Sequence, residues 1–136
     1  MPNPSIHPDP QPPLADWAVL AGRILLAVLF LGGAAQKWAD PVPAMDLLTG
    51  ASLPGALIWP ALIFNALAGV ALVLGWRVRA TALLLAVYCG VTSLFHLIPE
   101  DPWQMTIFVK NWAISGGCLA LYAHGGGRFA VDAARV

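Results

Sequence analysis

Charge is scarce in this chain. Asp, Glu, Lys and Arg together supply 10% of its 136 residues, against about 25% in ordinary soluble domains. Hydrophobic residues reach 59%, above the roughly 45–50% typical of soluble domains. A water-soluble globule is therefore not the expected class. Seven Lys and Arg balance seven Asp and Glu, and so few cations cannot build the basic surface that nucleic acid requires. Cysteine is also rare. Cys89 and Cys118 lie in separate apolar runs, which is neither a disulfide framework nor a metal-ligand spacing, and no Cys-x-x-Cys is present. The pair reads as small buried hydrophobes, with redox thiols as the alternative. No Lys or Arg precedes Arg23, so the basic start of a secretory signal is missing. The first apolar segment is expected to remain in the mature protein.

Proline and long apolar runs are what the chain has in quantity. Pro2, Pro4, Pro8, Pro10, Pro12 and Pro13 crowd the first 13 residues, which predicts a disordered or polyproline-like arm over 1–13. Four apolar stretches follow, Trp17–Ala35, Ala56–Trp76, Ala80–Ile98 and Trp103–Ala123. Each is close to the ~20 residues that cross ~30 Å of hydrocarbon as a helix. Helices are required because lipid offers the backbone no hydrogen-bond partner. The expected fold is an all-α integral membrane four-helix bundle over 14–124, followed by a tail over 125–136. Pro60 should open the second helix or kink its first turn. In the loop from Gln36 to Gly55, residues 44–48 read either as one or two helical turns on the membrane surface or as plain linker.

Cation placement orients the bundle. Arg23, Arg77, Arg79, Arg128 and Arg135 fall on the side of the termini, and Lys37 and Lys110 on the other. The positive-inside rule then puts both termini in the cytoplasm. Trp17 and Trp76 mark one membrane boundary, and Trp38, Trp59 and Trp103 the other, as interfacial aromatics do. Arg23 should reach back to the inner headgroups.

Polar residues inside hydrocarbon are costly and hence informative. In the outer half the first helix ends in Gln36 and Lys37, the second carries Asn65, the third Ser93 and His96, and the fourth Lys110 and Asn111. Packed as a bundle, these residues are expected to meet in one polar cavity open to the outer face. Lys37, Asn65, His96, Lys110 and Asn111 are accordingly the candidate ligand-binding residues. Each also has a plainer role: headgroup snorkelling for Lys110, interfacial anchoring for His96, and interhelical hydrogen bonding for Asn65 and Asn111. Helical spacing draws two further stripes, Asn111, Ser115, Cys118 and Tyr122 on the fourth helix and Cys89, Ser93 and His96 on the third, which are better buried against each other than turned to lipid. The two cysteines differ in depth by roughly 9 Å, beyond the ~7 Å between Cα atoms that a disulfide spans unless the helices are offset. Gly32–Gln36, Gly69 and the Gly116–Gly117 pair are expected to let helices approach closely.

Laid out in order, the motifs resemble the DoxX family of small bacterial membrane proteins. The first helix carries Arg23, Phe30, Gly32, Gly33 and Lys37, then Asp40–Pro41. The second has Asn65, Gly69, Leu74 and Gly75, and the third ends in Phe95–His96. The fourth opens with Phe108, Lys110, Asn111, Ala113, Gly116 and Gly117, and the tail supplies Gly127, Arg128, Phe129 and Asp132. The resemblance implies an inner-membrane location and a four-helix architecture like that of the membrane subunit of thiosulfate:quinone oxidoreductase. It also implies a link to membrane redox or thiol-stress systems, with a quinone as ligand and a redox protein as partner. Many members have a Glu where this chain has Asn65, so a proton-carrying acid there is replaced by a group that hydrogen-bonds without titrating. Two functions remain in view: a redox subunit binding quinone or a small sulfur compound, and a non-enzymatic scaffold or assembly partner in the bilayer. Either is compatible with a homo-oligomer. No metal site is expected, and the sequence implies no haem, since a lone intramembrane His lacks an axial partner.

Overall fold

The computed structural model describes residues 13–135, whose regular elements are all helical, with no strand among them. The expected proline arm lies outside the described residues except for Pro13, which opens α1 (Pro13–Ala39). A short α2 (Val42–Gly50) follows, then α3 (Ile58–Leu74), α4 (Val78–Ser93) and α5 (Pro102–His124). Three-residue 3-10 turns, Gly55–Leu57 and Leu94–His96, precede α3 and follow α4. A five-residue 3-10 turn, Val131–Arg135, is the last described element.

Among the described residues, three segments are long and apolar enough to cross a membrane: Leu14–Ala39, Gly55–Leu74 and Val78–His96. Their outward faces are apolar, with Leu25, Val28, Leu67, Leu84 and Val87 exposed. A water-soluble protein would not leave such a surface bare; hydrocarbon suits it. α5 is equally long, 23 residues, but carries Gln104, Lys110 and Asn111.

Local chemistry sets the boundaries. Pro60 falls in the first turn of α3, where its missing N–H has no intrahelical partner to lose. Gly75 ends α3 at φ 73°, a left-handed cap donating to the carbonyl of Ala71 at 2.8 Å. Asp101 caps α5, its Oδ1 accepting from Trp103 N at 3.0 Å and Gln104 N at 3.3 Å. Residues 44–48 are helical, within the nine-residue α2.

The helices associate as two antiparallel pairs, α1 with α3 and α4 with α5, joined by lighter contacts of α3 with α4 and α1 with α5. A continuous core runs through both pairs, including Ala27, Phe30, Leu72, Leu85, Cys89, Cys118 and Leu121. Gly69 does bring α1 and α3 close, since a Cβ there would lie 2.6 Å from Leu31 Cγ. Gly116 and Gly117 do not serve that purpose inside the chain, because nothing lies within 4 Å of a Cβ at either; they face outward from the α4–α5 seam. The expected stripes do bury against each other: Cys89, Ser93, Ser115 and Cys118 are buried, and Ser115 Oγ donates to the carbonyl of Ala86 at 2.9 Å. Tyr122 departs from its stripe and is exposed.

Candidate functional site

The bundle has a loop end, where α2 lies, and a tail end, where the described chain termini meet. Polar side chains collect at both.

Toward the loop end, Asn65 is set by the helical rise about 10 Å into α3. It is 2% exposed. Its Nδ2 donates to Tyr88 Oη at 3.3 Å, linking the α1–α3 pair to the α4–α5 pair across their lighter seam. Its Oδ1 is buried without a partner, a costly condition for a strong acceptor. Lys37, two residues from the end of α1, turns back along its own helix, with Nζ 3.4 Å from the carbonyl oxygen of Gly33. A Cβ at Gly33 would sit 3.7 Å from Lys37 Nζ and 3.8 Å from Asn65 Nδ2, so ammonium and amide flank one small space. Phe64 packs beside Tyr88, ring centroids 5.2 Å apart. This arrangement offers an ammonium donor, an amide, a phenol hydroxyl and an open acceptor in an apolar surround.

The other candidate residues are distributed differently. His96 is half-buried in its 3-10 turn, with Nδ1 2.6 Å from Gln104 Oε1, so that α5 holds the ring. Lys110 is exposed on α5 beside Met105, Thr106 and Val109, which line a shallow groove. Asn111 is half-buried on the same helix. Cys89 and Cys118 are free and share one core cluster. The structure thus brings Lys37 and Asn65 together and leaves Lys110 apart.

Tyr88 and Gln104 are the participants that sequence reasoning passed over. Tyr88 sits next to Cys89 and off its polar stripe, and its ring made it count as apolar. The available signal was its hydroxyl, which needs a partner at membrane depth.

At the tail end, Arg23 is 1% exposed. Contrary to the sequence expectation, it does not reach back to headgroups. Its Nη1 donates to the carbonyl of Gly126 at 2.7 Å, and its Nη2 to those of Phe129 at 2.9 Å and Val73 at 3.4 Å. Asp132 accepts the backbone N–H of Arg77 at Oδ1, 2.7 Å, and of Val78 at Oδ2, 2.8 Å, capping α4 from the far end of the sequence. Arg128 pairs with buried Asp16 at 3.4 Å. Phe129 packs on Trp17, ring centroids 4.6 Å apart. The tail is a docked structural element, fastened to α1, α3 and α4.

Fold and site together define a polytopic helical membrane protein with a polar cluster buried between helix pairs. The family model described as DoxX matches residues 18–97, more than half of the chain. The Escherichia coli (strain K12) protein described as inner membrane protein YqjF is 30% identical over 120 residues, covering 88% of this chain and 92% of that protein. The chain belongs to the DoxX family and is an inner-membrane protein. No solved structure matches it.

Proposed function

We propose that this protein is the membrane subunit of a quinone- or sulfur/thiol-linked redox system, and that the cluster of Lys37, Asn65 and Tyr88 receives the ligand's polar group. The unpartnered Oδ1 of Asn65, buried beside an ammonium and a phenol, carries the reading. A quinone supplies two-electron, two-proton chemistry when bound. Lys37 donates from Nζ to a carbonyl or an anionic oxygen, Asn65 Oδ1 accepts a hydroxyl of the reduced form, and Tyr88 fixes the amide plane. Electrons come from a partner redox protein docked at the loop end. Within this reading α5 is the fourth span, and the tail end faces the cytoplasm by its arginine excess.

The deciding experiment is purification from native membranes in mild detergent, with quantitation of co-purifying quinones and proteins. Stoichiometric quinone that is lost in Asn65→Leu and Lys37→Met, with helicity and melting retained, supports the reading. Full retention of quinone in both variants, or its absence from the wild type, overturns it.

A second reading, a non-enzymatic scaffold, draws on how the other buried polar groups are used. Ser115 bonds from α5 to the carbonyl of Ala86 on α4, and Arg23 from α1 to the carbonyl of Gly126 in the tail, holding helices and tail together. On that reading the Asn65 and Lys37 variants change stability or partner recovery, and no bound redox ligand is found in any form.

A further inference from the structure

At the tail end, the α3–α4 turn and the Gly125–Gly127 loop enclose an open groove of about 500 Å³, lined by Arg77, Arg79, His124, the three glycines and Asp132. Its cations are unequally committed. Arg79 spends its guanidinium on the last carbonyls of α5, with Nη1 on Tyr122 and Ala123 at 2.9 and 2.8 Å and Nη2 on His124 at 3.2 Å. Arg128 is taken by Asp16. Arg77 is different. Asp132 holds its backbone in the left-handed region, φ 46°, by accepting its N–H, a conformation that a branched-out L residue adopts only under constraint. The side chain is thereby presented at the groove, its guanidinium 5.4 Å from the centroid of the exposed Trp76 ring, and no carboxylate among the described residues forms an ion pair with it.

The depth of the groove identifies what it meets. Trp17, Trp76 and Phe129 are exposed at this same end, where interfacial aromatics settle at headgroup level. Among side chains described there, Arg23, Arg77, Arg79 and Arg128 face only Asp16 and Asp132, and both acids are already bonded. We propose that this groove is a binding site for the phosphodiester of an acidic phospholipid. Arg77 contacts the phosphate, Arg79 adds field while capping α5, and the acyl chains descend along the apolar faces of α3 and α4. The site is separate from the Lys37–Asn65 cluster and does not depend on any redox function.

The full-length protein in mild detergent, titrated with phosphatidylglycerol or phosphatidylcholine and read by native mass spectrometry and thermal shift, tests it. Retention of phosphatidylglycerol over phosphatidylcholine is expected, weakened roughly fivefold in Arg77→Gln and largely restored in Arg77→Lys. Lys110→Gln, a cation at the other end, should leave retention unchanged. Equal retention of the two lipids, an equal loss in Lys110→Gln, or no loss in a folded Arg77→Gln overturns the proposal. So does full displacement of the lipid by millimolar inorganic phosphate, which would make the groove a site for the free anion. If Arg77→Gln does not fold, Trp76→Leu replaces it, and unchanged retention there counts against the site in the same way.

Discussion

The guanidinium of Arg23 on the first helix lies 2.9 Å from the carbonyl oxygen of Phe129, 106 residues later in the chain. A charge that hydropathy alone would send to the membrane surface is instead the fastener between the bundle and its C-terminal segment.

Arg23→Leu removes the donor to three carbonyls and leaves them without partners. Hydrogen bonds to a charged group contribute about 1.5–3 kcal/mol each at most, and the orphaned carbonyls add to the loss. The variant should lose roughly 3–5 kcal/mol of stability in detergent melting, and its tail should become a target for limited proteolysis after Arg128 while the wild type resists.

Gly75→Ala should also release the tail. The residue has φ 73°, and a Cβ would lie 2.5 Å from Ala130 Cα. The left-handed conformation alone costs an L residue about 1–2 kcal/mol, and the backbone contact cannot be relieved by a rotamer change. A melting temperature unchanged from wild type would show that the tail does not sit on Gly75.

Gly69→Ala tests the α1–α3 approach. The added methyl meets Leu31 at 2.6 Å, and overpacking of this kind costs about 1–3 kcal/mol. Unlike the Gly75 case, the clash is with a flexible side chain. Leu31→Ala in the same chain should therefore recover most of the loss, which chemical or thermal unfolding of the single and double variants will show.

The Asn65–Tyr88 bond can be weighed by a double-mutant cycle with Asn65→Leu and Tyr88→Phe. Interhelical hydrogen bonds in membranes average about 0.6 kcal/mol, so the coupling should be of that size. A much larger coupling would assign the pair to structural glue and weaken its claim as a ligand site.

Cys89 and Cys118 are buried in the α4–α5 core. A membrane-permeant maleimide should label neither in the folded protein and both after unfolding in SDS. Rapid labelling in the folded state would reopen a thiol-redox role for them.

How much of this was legible beforehand depended on the range of the interaction. The apolar runs announced α1, α3, α4 and α5 within a few residues, because hydrocarbon demands about 20 apolar residues in a helix and tolerates little else. Asp101 before Pro102 and Gly75 after Leu74 marked helix ends through local backbone chemistry. The stripes of Cys89 and Ser93 on α4 and of Ser115 and Cys118 on α5 followed from the 3.6-residue period.

The polar clusters were only half visible. Lys37 and Asn65 were candidates by residue type, but Tyr88 was hidden by its ring and Lys110 turned out to sit on an exposed face of α5. Which way a helix is rotated depends on the packing of its neighbours, and the weak amphipathicity of these helices leaves that choice to them.

By itself, then, the sequence determined that this is a helical inner-membrane protein of the DoxX type, where its helices begin and end, and which polar residues are too expensive to be incidental. Only the tertiary structure decided their partners: that Arg23 and Asp132 fasten the tail, that Asn65 meets Tyr88 and Lys37, and that Arg77 lines the groove with no ion-pair partner among the described residues. Helix spans follow from the solvent each residue meets, which composition encodes locally; pairings between residues on different helices, from 23 positions apart for Asn65 and Tyr88 to 106 for Arg23 and Phe129, depend on helix rotation and offset, which no local pattern specifies.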